Sequence, residues 1–482
     1  MMQTYHLGGV TPVPWLSRGK VVGLVLLATV GLVVMVLLVT YKNLVLVAVL
    51  FVLIAAFVVL ARHRTSDGGF WLLHAGEGLR HAIGKRARWD DFDPELEDQP
   101  FMLMEPLRVI GVPSGEDGTE LAVLEYPRAM VCVLEVSGAA HGVKEPAEVR
   151  RNEESTISLH RTLSEPKLCL EQLDWLTLVR PESPAALAEP FVGDLVEGLP
   201  GPVQEAMEAL PDGLAARTER VRSYAIARFD VDALFSRVAQ PPFTESSGAE
   251  AAYDALSQVA RLLAGKGIRV IRGLGPAEVS ALMRAVVSPD EDPDDITGCE
   301  GGFWSAVPSW KRDGGTIVTA KGWHHATATF ALDDWPLTPV RGRWLEPIVF
   351  GADMGARTIM TQVRLIPRYR ARDFAKGQLT TAASRRYQKD KSGEIDAGEA
   401  WSKEATAQQV ARDVVLDGHV GIMPAVRVLC STRTPRALAT AMETVENVAT
   451  DKLNAESLST DATRPGVGLL HCLPLGLEVP RR

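Results

Sequence analysis

Two adjacent histidines, His324 and His325 in "GWHHAT", are the residue types best suited to metal ligation or proton transfer. The segment alternates as a strand, and neighbours on a strand point to opposite faces, so the pair cannot readily share one metal. His471 and Cys472 in "HCLPLG" meet the same objection. "GEGLRHAIGKR" approaches a phosphate-binding P-loop. Five residues separate Gly78 from Gly84 where that motif has four, and Arg86 stands where a hydroxyl must hold magnesium. "IRVIRGLGPAE" lies between a strand and a helix as a dinucleotide fingerprint would, but Glu278 occupies the third glycine position, which leaves turn geometry to Gly273 and Gly275. "DEDPDD" begins like a calcium loop at Asp290, Asp292 and Asp294. Asp295 replaces the glycine such a loop needs, and Gly301 its bidentate glutamate, so a solvated acidic loop is expected. There is no H-E-x-x-H and no G-x-S-x-G. The sequence therefore assigns no catalytic, cofactor-binding or metal-binding residue, and the expectation is a protein without a cofactor that is not an enzyme. The rival reading is a membrane-bound enzyme with a site built from scattered residues, for which His324 and His325 are the positions to mutate.

Composition narrows the classes further. With 46% hydrophobic and 23% charged residues in 482, the chain has ample material for folded cores. A net charge of -9 argues against a dedicated nucleic-acid binder, so no sequence-specific nucleic-acid contact is expected. The cysteines Cys132, Cys169, Cys299, Cys430 and Cys472 are far apart and odd in number, which suits buried, reduced thiols in the cytosol.

The elements that would position any site begin with two uncharged runs, Val21 to Thr40 and Leu44 to Ala61, split by Tyr41-Lys42-Asn43. At about 1.5 Å rise per residue, runs of this length span a hydrocarbon layer of roughly 30 Å, which predicts a transmembrane helical hairpin over 21–61. A cleaved leader fits poorly, because a second apolar run follows at once. Arg18 and Lys20 precede the pair, and Arg62, Arg64, Arg80, Lys85, Arg86 and Arg88 follow it. The excess of cations on both flanks predicts cytosolic ends, a multi-pass protein of the cell membrane with most of its chain in the cytoplasm. In 62–92, Phe70, Trp71, Leu72 and Leu73 lie beside those cations, as in a segment resting on anionic headgroups or in the first element of the soluble part.

Beyond this point period-two patterning predicts an antiparallel meander over Leu107 to Val136, with "PSGEDG" as a turn. "CLEQLDWLTLVRP", "RSYAIARFD" and "GIRVIRG" read as strands, and Ala251 to Ala264 and Pro276 to Val287 as helices. "TIMTQVRLI" and "AVRVLCS" alternate as strands around a helical hairpin, Ala371 to Lys389 and Gly398 to Leu416, whose charged tip is Lys389 to Glu394. Thr434 is the N-cap of a helix with Pro435 at its first position and Leu438, Met442, Val445, Ala449 and Leu453 on one face. "GVGLLHCLPL" reads as a closing strand. The fold class expected is α+β: a cytosolic segment at 1–20, the hairpin at 21–61, a basic juxtamembrane segment at 62–92, a mixed domain at 93–350 divisible near 240–250, and a ferredoxin-like domain at 351–482.

The arrangement resembles membrane components of conjugation-like, type IV secretion-related systems of Gram-positive and especially actinobacterial cells. The two apolar runs and their "YKN" turn are similar to the PrgI-type two-span subunit. The rest is similar to the non-ATPase N-terminal region of the CagE/TrbE class of translocation ATPase. The pieces that carry this likeness are "RDGGTIVTAKGWHHA", "YRARDFAKGQLTTAASRRYQKDKSGE" with "EATAQQVARDVVLDGHVG", "VRVLCSTRT" and "LLHCLPLGLE". The resemblance implies a membrane-anchored scaffold whose partners are a separate ATPase, other channel subunits and the bilayer, as a homo- or hetero-oligomer. In the ATPase class a nucleotide-binding domain follows the stretch resembling "HCLPLG". The sequence here stops there, so ATP hydrolysis is not implied. An EccE-like component of a type VII secretion system is the alternative, since those also carry two spans before a cytosolic domain.

Overall fold

The computed structural model of the chain describes residues 92, 107–114, 120–137, 158–182, 218–236, 245–299, 302–330, 345–351, 354–366, 368–392, 405, 407–409, 411–412, 421–453, 459–460 and 465–478. The hairpin expected over 21–61, the juxtamembrane aromatics and the glycines Gly78 and Gly84 lie outside these residues. Among the described residues no helix is long and apolar enough to cross a membrane.

The strands are β1 (Arg108–Pro113), β2 (Glu120–Tyr126), β3 (Ala129–Ser137), β4 (Leu170–Pro181), β5 (Glu219–Asp230), β6 (Arg269–Gly273), β7 (Trp310–Asp313), β8 (Thr316–Thr319), β9 (His324–Phe330), β10 (Ala356–Ile366), β11 (Gly421–Thr432) and β12 (Ser459–Thr460). They form one 12-stranded sheet in the order β1-β2-β3-β5-β4-β10-β11-β9-β8-β7, with β6 also on β3 and β12 on β9. Each of these pairings is antiparallel. The longer helices are α1 (Glu245–Ala264), α2 (Pro276–Val287), α3 (Arg368–Ser392) and α4 (Pro435–Asn447), followed by the short α5 (Pro465–Leu470); all of them except α3 contribute residues to the cores on the sheet.

The period of two sorts each central strand between two covered faces. On one face Leu173 of β4, Ala227 and Phe229 of β5 and Val363 of β10 join Ala252, Leu256, Val259 and Leu263 of α1. Further along that face Val426, Val428 and Cys430 of β11 pack on Leu438, Ala441 and Val445 of α4. On the other face Leu176 and Leu178 of β4, Tyr224 and Ile226 of β5, Met360 of β10 and Leu429 of β11 meet α2 and the C-terminal residues Leu469, Leu470, Leu473 and Leu475. That core also contains Leu124 of β2 and Ile317 of β8, so strands from opposite ends of the sheet share it.

This architecture corrects the expected fold class. Two successive mixed domains ending in a ferredoxin-like sandwich are replaced by one large antiparallel sheet with helices on its faces. In a ferredoxin-like unit one helix carries the chain across to a non-adjacent strand. Here β10 and β11 are immediate antiparallel neighbours, from Ala356 opposite Ser431 to Ile366 opposite Gly421, with α3 starting the excursion between them. Their outer neighbours are β4 and β9, both from before residue 350, so the last third makes no sheet of its own.

"GVGLLHCLPL" is not a strand either. Pro465–Leu470 is helical, and the chain then turns through residues 471–475. Leu469 and Leu470 are consecutive and both buried, which the two faces of a half-buried strand cannot provide. A short continuous apolar run does not by its periodicity separate a buried strand from a buried helix.

Candidate functional site

The most polar part of the interior lies on the face of the sheet that the C-terminal residues cover. Gln172 and Asp174 of β4, Arg228 of β5, Gln362 and Arg364 of β10 and Arg427 of β11 occupy neighbouring strands, and Asp174 stands directly opposite Gln362. Gln172, Asp174 and Gln362 are 0%, 1% and 1% exposed. Because the strands alternate and the opposite face is filled by α1 and α4, these side chains have no route out except toward the C-terminal segment.

They bind that segment through its backbone. The Tyr126 hydroxyl donates to the Leu475 carbonyl at 2.9 Å, Arg228 Nη1 to the Gly476 carbonyl at 3.0 Å, and the Gln172 and Gln362 amides both donate to the Leu477 carbonyl at 2.9 Å. Arg364 reaches Glu478 at one end of its guanidinium and Glu171 Oε1 at 2.6 Å with the other. Gly476 is the hinge of this docking. Its φ is +57°, and a Cβ there would come within 2.7 Å of Val131 Cγ1, so only glycine lets the backbone reach the sheet.

Asp174 sits at the centre. Its Oδ2 accepts from Gln172 Nε2 at 2.8 Å, while Oδ1 makes no well-formed hydrogen bond. Burial pushes its carboxyl up to about 7, against the opposing pull of Gln172, Gln362, the Val363 backbone and Arg228. Gln362 Oε1 accepts from Arg427. Burial holds His471 well below the ordinary histidine range, Arg427 adding to the effect, and its Nδ1 has no hydrogen bond. The arrangement is an array of donors that recognises three consecutive carbonyls and an acidic side chain on a segment that bends at Gly476.

The sequence candidates go elsewhere. His324 and His325 are neighbours on β9 and point apart, as their spacing predicts. His325 is buried with Nδ1 2.8 Å from Ser431 Oγ, and burial lowers its pKa to about 3, so it stays neutral. Gly273 ends β6, and Gly275 caps α2, its N–H donating to Glu278 Oε2 at 2.7 Å. A Cβ on Gly275 would lie 2.9 Å from the Glu120 carbonyl, a close approach that accounts for the glycine without any nucleotide. Asp290, Asp292 and Asp294 are each drawn to cations of the protein, and no group of three metal-ligating side chains occurs among the described residues. All five cysteines are free and buried, and burial pushes the Cys132 and Cys430 thiols up to about 12. Residues 172, 174, 228, 362, 364 and 427 were not legible as a group, because polar residues at alternate strand positions read as solvent-facing. No family model matches the chain, and no curated protein matches it.

Proposed function

We propose that the chain is a non-catalytic, membrane-anchored scaffold subunit of a type IV secretion or conjugation-like translocation machine that docks a separate ATPase at the cytoplasmic face. The observation that carries this reading is the pair of uncharged runs, Val21 to Thr40 and Leu44 to Ala61, flanked on both sides by cations, ahead of 421 residues rich in folded elements. The resemblance set out above supplies the machine and the partner. The polar interior fits the same role, since its amides and guanidinia are occupied in fastening the chain's own C-terminal segment. Anchoring to a bilayer raises the effective concentration of neighbouring subunits, so each docking contact can be weak while the assembly persists.

The test is crosslinking of the full-length chain in native membranes, followed by purification in mild detergent. Recovery of a conjugation-type ATPase with the chain, and no ATP turnover by the purified chain alone, are the expected results. Substantial ATP hydrolysis by the chain itself overturns the reading, as does consistent recovery of type VII components in place of that ATPase.

A further inference from the structure

Residues 476–478 are the cover over Asp174. One amide, Gln172 Nε2, donates both to Asp174 Oδ2 at 2.8 Å and to the Leu477 carbonyl at 2.9 Å, so a single side chain joins the buried carboxyl to its cover. Before Gly476, the leucines Leu469, Leu470, Leu473 and Leu475 are fixed in the apolar core. After it, Leu477 is only partly buried, and the other contacts are polar: Gln172 and Gln362 on the Leu477 carbonyl and Arg364 on Glu478. The cover can therefore lift at Gly476 while the leucines stay where they are.

Two complementary atoms beneath this cover are unmet. Asp174 Oδ1 and Arg228 Nε are both buried without a well-formed hydrogen bond. Arg228 stands opposite Gln172 and Asp174 opposite Ile226, so the arginine is the diagonal neighbour of the carboxyl across β4 and β5, at a spacing of roughly 7–8 Å that a long side chain bridges. Arg228 instead donates through Nη1 to the Gly476 carbonyl at 3.0 Å and keeps a 3.5 Å contact with Glu171 Oε2. It has two acceptors to choose between, the backbone of the cover and the carboxyl below it. The other charged or titratable groups here are Glu171 on β4, Arg364 on β10, Arg427 on β11, Tyr126 on β2, and His471, Cys472 and Glu478 on the C-terminal segment. Arg364 is held by Glu171 and Glu478, Arg427 donates to Gln362, and burial keeps His471 neutral. Three guanidinia thus face two carboxylates while Asp174 keeps its proton, and three once it gives the proton up.

We propose that residues 476–478 form a proton-controlled clasp: with Asp174 neutral, Arg228 holds the Gly476 carbonyl and the clasp is shut, and loss of the Asp174 proton to water moves Arg228 onto the carboxylate and opens it. Burial pushes the Asp174 carboxyl up to about 7 in the shut form, against the pull of Gln172, Gln362, the Val363 backbone and Arg228. Opening admits water and brings Arg228 onto the ionised form, both of which draw the carboxyl back down. The two equilibria are reciprocal, so whatever raises the pKa on closing makes ionisation favour opening. One proton tilts the open-to-shut ratio by at most about tenfold per pH unit, up to the shut-state value of about 7 and no further above it.

A spin label on Val479→Cys in the full-length chain, held in detergent micelles, tests the clasp, with the unsubstituted chain as the control for labelling of the five buried cysteines. Electron paramagnetic resonance separates mobile from immobile label. The mobile-to-immobile ratio should rise between about pH 5 and about pH 7, by up to about tenfold per unit, and level off above. Asp174→Asn cannot ionise and should hold the ratio at its acid value throughout. Arg364→Gln, which removes the partner of Glu478, should raise the ratio equally at every pH and leave the slope as it was, the behaviour of a contact that is structural only. A ratio in the label-bearing chain that stays constant from about pH 5 to about pH 8 overturns the proposal without recourse to any further substitution. So does a rise that Asp174→Asn retains in a variant that melts cooperatively.

Discussion

Asp174 has a folded-state pKa of about 7 against an ordinary 3.8, so the folded chain retains a proton that the unfolded chain releases. Its contribution is therefore intact below pH 4 and is lost as pH rises from about 4 to about 7. Asp174→Asn keeps an acceptor for Gln172 and removes the charge. Its melting temperature should gain on the parent's across that interval and hold a constant lead above it, on the order of a few kcal/mol in stability. A lead that is the same at pH 4 and pH 8 would show that Asp174 does not titrate in this range. Arg357 presents the opposite case, a fully buried cation that is satisfied. Its guanidinium meets Glu219 at 2.7 Å through both Nη atoms and donates to the carbonyls of Ile348, Val349 and Gly355. Arg357→Ala leaves those acceptors without donors, and denaturant titration should record a loss of about 3–5 kcal/mol. Neither residue announces itself in the sequence. The polar positions of "LEQLDW", around Asp174, and of "ARTIMT", around Arg357, suggest water when set between apolar neighbours on a strand, and only a sheet covered on both faces turns them inward.

Elements whose signals are local were readable in advance. α2 occupies Pro276–Val287 as its pattern predicts, and Thr434 caps α4 by accepting from the Ala437 N–H at 3.2 Å. The C-terminal segment was not readable, because what defines it is non-local: its leucines fill a core made by strands hundreds of residues earlier, and its carbonyls are bound by side chains from four strands. Two substitutions separate these contributions. Leu473→Ala opens a cavity in the core that Leu473 shares with Leu469, Leu470 and Leu475 and should cost about 2–5 kcal/mol. Tyr126→Phe removes only the hydroxyl that meets the Leu475 carbonyl, at about 1–2 kcal/mol. A loss from Tyr126→Phe larger than that from Leu473→Ala, measured by denaturant unfolding, would mean that the polar bonds and not the leucines dominate in holding the segment in place.

At the scale of the whole sheet, strand order decides what can fold alone. β10 lies between β4 and β11, and β11 between β10 and β9, so strands from before and after residue 350 are shuffled into one ladder. Sequence patterns report the period of a strand but carry no record of its neighbours, which is why a separate domain at 351–482 was a natural expectation. A fragment of residues 351–482 would retain the β10–β11 pairing but lose Leu173, Leu176 and Val179 beside β10 and Ala328 and Phe330 beside β11. The leucines of the C-terminal segment would lose most of the core they fill. A two-stranded ribbon with one covering helix buries too little apolar surface to offset chain entropy. The fragment should therefore give collapsed amide proton dispersion and rapid proteolysis, whereas 89–482 should resist protease and lose its β11 and β4 hydrogen-exchange protection in one step. Well-dispersed spectra from 351–482 alone would show that the interleaved strands are not required for folding of the last third.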